Sequence, residues 1–189
     1  TIAFEKIISN IAKNFNINAC LEITIESNPK TLNKQKLIDF CNAGMTRLSV
    51  GVQSFNDDKL KFLGRRHNAQ DALTLIRDAQ NIGVRVSADF IYGLPDENVT
   101  DVIKTCKKIN EIGLEHCSMY ELTIEPNTPF GKMNLHIPDN NTMAQMYNAI
   151  PEYLNLPRYE VSNYAAPGQE CIHNQNVWDG APYIGIGTG

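Results

Sequence analysis

Glu26, Gln53, Asp89 and Arg65 have the most chemistry to offer in this sequence, because the first three sit at or near the ends of segments that read as strands and the fourth follows close behind the second. Two carboxylates, an amide and a guanidinium converging on one mouth suit a zwitterionic ligand that carries a ribose. Carboxylates accept from hydroxyls or an ammonium group, and arginine grips a carboxylate through two parallel hydrogen bonds. The same side chains could instead pair inside the protein, Glu26 with Arg47 or Asp89 with Arg85. The five cysteines, Cys20, Cys41, Cys106, Cys117 and Cys171, are 21, 65, 11 and 54 positions apart. That scatter fits reduced thiols rather than a disulfide framework, and it cannot set three thiolates on one loop.

These residues must be positioned by a repeating unit. Leu21 to Glu26 alternates strictly and ends at the turn residues Ser27-Asn28-Pro29; a helix is expected from about Thr31 to Ala43. Strand Arg47–Gln53 then leads through a loop to a helix at Ala69–Ile82, strand Val84–Ile91 to a helix at Val99–Ile112, and a further strand covers Cys117–Leu122. Three of the helices close on an apolar residue plus glycine, at Gly44, Gly83 and Gly113, the pattern of a left-handed helix terminator. Such alternation predicts a parallel sheet with right-handed crossovers.

Within each strand one parity is apolar (Ile23 and Ile25; Leu48, Val50 and Val52; Val84, Val86 and Ala88) and the other is polar (Glu22, Thr24 and Glu26; Arg47, Ser49 and Gln53; Arg85, Ser87 and Asp89). Parallel strands covered by helices on both faces read as continuous apolar runs, so a polar parity points to a lumen that is wet or holds a polar ligand. The expected fold is therefore α/β, an open, partial (β/α) TIM-like barrel, with residues 1–135 forming the barrel and 136–189 an incomplete C-terminal part. Both ends read as truncated, since the chain opens inside a helical pattern (Phe4, Ile7, Ile8, Ile11, Phe15) and stops in a glycine-rich run. Loss of strands would leave an open parallel edge, a liability for solubility.

A net charge of −4 and a pI near 5.5 provide no general basic field, which argues against nucleic acid as a partner. No apolar run approaches the length of a membrane span, and Glu5, Lys6 and Lys13 interrupt the first segment, so a cytoplasmic location is expected.

The segments Glu22–Pro29 (EITIESNP), Arg47–Phe55 (RLSVGVQSF), Leu63-Gly64-Arg65 with His67, Asp89–Pro95 (DFIYGLP) and Leu122–Pro129 (LTIEPNTP) resemble, in order, motifs of the coproporphyrinogen-oxidase-like radical S-adenosylmethionine (SAM) family. The likeness runs from about Cys20 to Gly189, far more than a single short motif. It implies a barrel of the radical SAM type. It also implies that Glu26, Gln53, Arg65 and Asp89 contact SAM, that Ile91 flanks the adenine, and that a four-iron four-sulfur (4Fe-4S) cluster on a CxxxCxxC loop cleaves SAM by one-electron transfer. Thr123 is a weaker SAM candidate. That cysteine loop does not occur in these 189 residues.

The tail Tyr159–Ala165 followed by Cys171–Trp178 (CIHNQNVW) resembles the HNxxYW signature of the HemW heme chaperone branch, with Val177 in place of the signature tyrosine. The resemblance makes His173, read as a loop residue, an axial ligand to heme iron and Trp178 a packing surface for the porphyrin. It implies a protein that binds heme and passes it to an acceptor. The alternatives are an oxygen-independent coproporphyrinogen III oxidase, which decarboxylates propionates by radical chemistry, and an inactive piece. Of the other histidines, His67 is expected to orient the loop after Arg65, and His116 and His136 to carry little weight.

Overall fold

The computed structural model describes residues 2–17 and 22–187; Cys20 and Leu21, where the first strand was expected to begin, lie outside the described residues. Helix α1 (Ile2–Asn14) is followed by β1 (Thr24–Ser27), α2 (Lys34–Asn42), β2 (Arg47–Gln53), α3 (Asp57–Phe62), α4 (Ala69–Ile82), β3 (Arg85–Tyr92), α5 (Val99–Ile112) and β4 (His116–Glu121). A 3-10 turn at Phe130–Lys132 precedes α6 (Asn140–Tyr153), β5 (Asn163–Ala165) and α7 (Ile172–Trp178). Strands β1 to β4 pair in parallel in chain order, and β5 joins β4 antiparallel, so the sheet is an arc rather than a closed barrel.

The alternating parities do what their chemistry demands. Leu48, Val50, Val52, Ala88, Phe90 and Cys117 are fully buried against Leu37 of α2, Ala72, Ile76 and Ala79 of α4, and Cys106 and Ile109 of α5. Met146 and Ile150 of α6 complete that layer, with α6 packed beside α5. The opposite parity lines the concave side. Because a strand's side chains alternate with a period of two, burial of one set commits the other to the lumen.

Local signals set the boundaries. Helix α2 begins at Lys34 rather than near Thr31 because Asn33 is its N-cap, its side chain accepting from Lys36 N at 2.9 Å. Asn68 and Asn98 cap α4 and α5 in reciprocal boxes with Asp71 and Asp101. Gly83 and Gly113 end those helices in the left-handed conformation, as their placement predicts. The short α3, started by Asn56, occupies what reads in sequence as a loop, since six residues are too few to show a helical period. Among the described residues the ladder begins at Thr24 rather than Glu22: the Ile23 carbonyl accepts from Arg47 N, the first bond of the β1–β2 ladder, and from Thr46 N as well.

Candidate functional site

The concave face encloses a cavity of about 1190 Å³ whose walls carry the polar parity from end to end. Glu26, Gln53, Asp89 and Ile91 all line it, as do Ser49, Ser118, Tyr120 and Thr123. Strand register explains the convergence, since Glu26 lies opposite Ser49, Ser49 opposite Ser87, and Asp89 opposite Ser118. Asp89 accepts from Ser49 Oγ at 3.0 Å. Its pKa is raised chiefly by burial, with hydrogen bonds from Ser118 and Ser49 opposing.

Gln53 ends β2 with φ of 66°, a left-handed conformation uncommon for any residue other than glycine, at the point where the β2–β3 register shifts. The reversal swings its amide across Gly51, where a Cβ would stand only 2.9 Å from Gln53 Nε2 and 3.5 Å from Asn28 Oδ1. Backbone strain of this kind persists where surrounding structure fixes it, commonly at ligand sites. Arg65 is the member of the expected set that the lumen does not receive. Its guanidinium instead donates to Asn28 Oδ1 at 3.2 Å, beyond the end of β1, because α3 carries the chain outward before Arg65 is reached.

Neither internal pairing open to the sequence forms. Glu22, not Glu26 or Asp89, takes both arginines, at 3.4 Å from Arg47 Nη1 and 3.5 Å from Arg85 Nη1. This network occupies the amino ends of the strands, the floor of the lumen, and the segment after β5 closes over it. Arg47 Nη1 donates to Gln169 O at 3.1 Å, Arg85 Nε to Gln169 Oε1 at 2.8 Å, and Arg85 Nη2 to Glu170 O at 3.3 Å. Glu22 Oε1 in turn accepts from His173 N at 3.4 Å. Glu22 and Glu26 lie four extended residue steps apart, roughly 13 Å, so the lumen has an acidic mouth and a floor where two guanidiniums meet one carboxylate.

His173 lies in the first turn of α7, not in a loop, and is exposed where it lines the lumen beside Cys171 and Asn174. Trp178 is not among the lining residues; its ring packs against Tyr159, with centroids 6.0 Å apart. Five positions along a helix turn the two side chains well away from a common face.

His116, given little weight from its sequence position, is a structural centre of the floor. It is 3% exposed, with Nδ1 2.7 Å from Ser87 Oγ and Nε2 2.7 Å from Tyr159 OH. Burial, reinforced by the charges of Arg47 and Arg85, pulls its pKa down to about 3, so the ring is neutral at physiological pH. The phenol of Tyr159 also accepts from Cys171 N at 3.2 Å, tying barrel wall to α7. No local pattern announces this contact, because its partners are 43 and 12 residues apart. His67 is buried 3.1 Å from Val52 O, beside the strand end that carries Gln53.

An arc of parallel strands with helices on its convex side and polar groups converging at the strand ends is the architecture of the radical SAM superfamily, whose pattern residues 3–109 match; the chain belongs to that superfamily. Its full extent is similar to heme chaperones. It is 37% identical to Heme chaperone HemW of Escherichia coli over 99% of this chain and 50% of that protein, and 36% identical to HemW of Buchnera aphidicola subsp. Schizaphis graminum over 98% and 50%. A mitochondrial radical S-adenosyl methionine domain-containing protein 1 of Danio rerio is 36% identical over 97% of this chain and 43% of its own length. The chain thus spans about half the length of the curated relatives it matches. In structure it matches the coproporphyrinogen III oxidase HemN of Escherichia coli with a TM-score of 0.77 at 23% identity, covering 93% of this chain and 42% of the enzyme. That likeness establishes the shared barrel fold.

The superfamily implies SAM and a 4Fe-4S cluster. The donor set fits the first: a polar cavity with carboxylates at its mouth, a glutamine amide carried on a left-handed backbone turn, and the apolar Ile91. It does not fit the second. Among the described residues no group of three histidine, cysteine or acidic side chains is placed to hold a metal, and the sequence carries no CxxxCxxC. No helix among the described residues is long and apolar enough to cross a membrane.

Proposed function

We propose that this chain is the central part of a HemW-like heme chaperone, which binds SAM at the mouth of its lumen, carries heme at the His173 segment and delivers it to an acceptor protein in the cytoplasm. The observation that carries the reading is that Glu26, Gln53, Asp89 and Ile91 open onto the same cavity as His173. Bound there, SAM would supply a sulfonium and an adenosyl group. Glu26 and Asp89 would accept from its hydroxyl or ammonium donors, Gln53 would orient it through the amide fixed by the turn at the end of β2, and Ile91 would pack against the adenine. Arg65 would act from the rim through Asn28, and Thr123 lies on the same wall. His173 would ligate the heme iron, with its main-chain N–H anchored to Glu22. In this arrangement Trp178 supports α7 through Tyr159 rather than stacking on the porphyrin.

The test is a heme titration of the chain and of His173→Ala, followed by visible absorbance. Saturable binding near one heme per chain that weakens in the variant supports the reading. Binding that ignores the substitution moves the site elsewhere, and absence of binding refutes the assignment for this part of the protein. Porphyrinogen turnover by a full-length relative separates the chaperone from the oxidase: robust vinyl formation sinks the chaperone reading.

A further inference from the structure

The floor of the lumen holds a donor pair that neither the SAM set nor His173 uses. Among the described residues, Arg47 Nη2 and Thr24 Oγ1 are buried without a hydrogen-bond partner, and both residues line the cavity. They face each other in register across β1 and β2. The Arg47 side chain is 2% exposed, so bulk water does not serve it. A guanidinium nitrogen left unmatched in such a place is costly.

The neighbouring groups are already committed. Arg47 Nη1 is divided among Glu22, Gln169 O and Glu170 O. Arg85 spends its donors on Glu22, Gln169 and Glu170. Both ring nitrogens of His116 are engaged by Ser87 and Tyr159, and the Cys171 thiol points to Glu22 Oε1 at 3.6 Å. The ring of His116 is neutral, so it adds no positive charge, and Asp89 is held one layer higher by Ser49. What remains unpaired is one cationic N–H and one hydroxyl, on residues in register with each other, in the wall at the floor of the cavity. We infer that Arg47 Nη2 and Thr24 Oγ1 form a carboxylate subsite at the floor of the lumen, receiving the acid end of a ligand whose body fills the cavity above. An ionised carboxylate satisfies both donors, one oxygen each, and balances the second guanidinium that Glu22 alone does not.

Propionate labelled with ¹³C at its carboxyl group, titrated into the chain and observed by NMR, tests the subsite without requiring heme or SAM to bind. Saturable binding in the millimolar range is expected, weakened about tenfold in Thr24→Val, the size of one hydrogen bond to a charged group, and not competed by propionamide. Arg47→Gln is expected to abolish it, but Arg47 also ties down the closing segment. The near-isosteric Thr24→Val, with an unchanged circular dichroism melt, therefore carries the decision. Absence of saturable binding, meaning that the floor takes only solvent, overturns the inference, as does equal affinity in Thr24→Val or equal binding of propionamide. Displacement of propionate by SAM would assign the carboxylate to its methionine end. Displacement by hemin but not by its dimethyl ester would assign it to a heme propionate. A failed heme titration leaves the propionate result intact, so the two readings fail separately.

Discussion

His116 makes the floor of the lumen sensitive to acid, and the size of the effect follows from its surroundings. The ring's pKa is about 3 in the folded protein against an ordinary 6.5, first because it is buried and then because Arg47 and Arg85 repel a second positive charge. A histidine whose folded pKa is depressed contributes stability in full above its unfolded pKa and loses it as pH falls toward the folded value, because the unfolded chain takes up the proton first. The loss is about 1.4 kcal/mol per pH unit inside that window, or roughly 2 kcal/mol between pH 6.5 and pH 5. Asp89 and Glu97 oppose it: burial raises both pKa values, so the folded state gains relative stability as they protonate. Comparing two proteins removes that contribution. Urea unfolding of the wild type and of His116→Gln at pH 7 and pH 5 should show the wild type losing about 2 kcal/mol more than the variant across the interval. Equal losses would refute the reasoning, because a ring kept neutral by burial beside two guanidiniums cannot leave the unfolding equilibrium independent of pH there.

Two further outcomes follow from geometry alone. Glu22→Gln removes the carboxylate shared by Arg47 and Arg85 and should cost about 3–5 kcal/mol in denaturant unfolding, with faster hydrogen exchange at residues 169–176; exchange there at the wild-type rate would show that the closing segment is held by other contacts. Gly93, at φ 77° just past β3, holds a left-handed conformation, and a Cβ there would displace only the flexible end of the Met143 side chain, so Gly93→Ala should destabilise by about 1–2 kcal/mol, chiefly through backbone strain. A calorimetric melt unchanged by that substitution would refute the strain argument at this position.

Period and punctuation were enough to read the barrel wall. The apolar parity of β2 and β3 had to meet the helices and the polar parity had to face inward, because side chains alternate along any strand whatever its neighbours. The convergence of Glu26 and Asp89 on one lumen follows from that alone, while the glycines mark the ends of α4 and α5 at Gly83 and Gly113. The likeness to heme chaperones was likewise written in consecutive motifs. Gln53's left-handed backbone was not, since nothing in the residue type announces a conformation imposed by a register shift against the next strand.

Tertiary structure alone decided what closes the lumen. Glu22 rather than Glu26 or Asp89 holds the two arginines, because the pairing depends on which layer of the arc each side chain occupies. The contact of Arg47 with Gln169 joins residues 122 positions apart, and it brings His173 to the amino end of the strands while the SAM candidates stay at the carboxyl end. The same return path places Tyr159 on His116 and turns Trp178 away from the cavity. Arg65 was displaced to the rim by α3, an element too short to leave a period. A strand's alternation is a property of the chain within a few residues, whereas these contacts depend on how a segment more than a hundred residues later folds back, and no local pattern encodes that path.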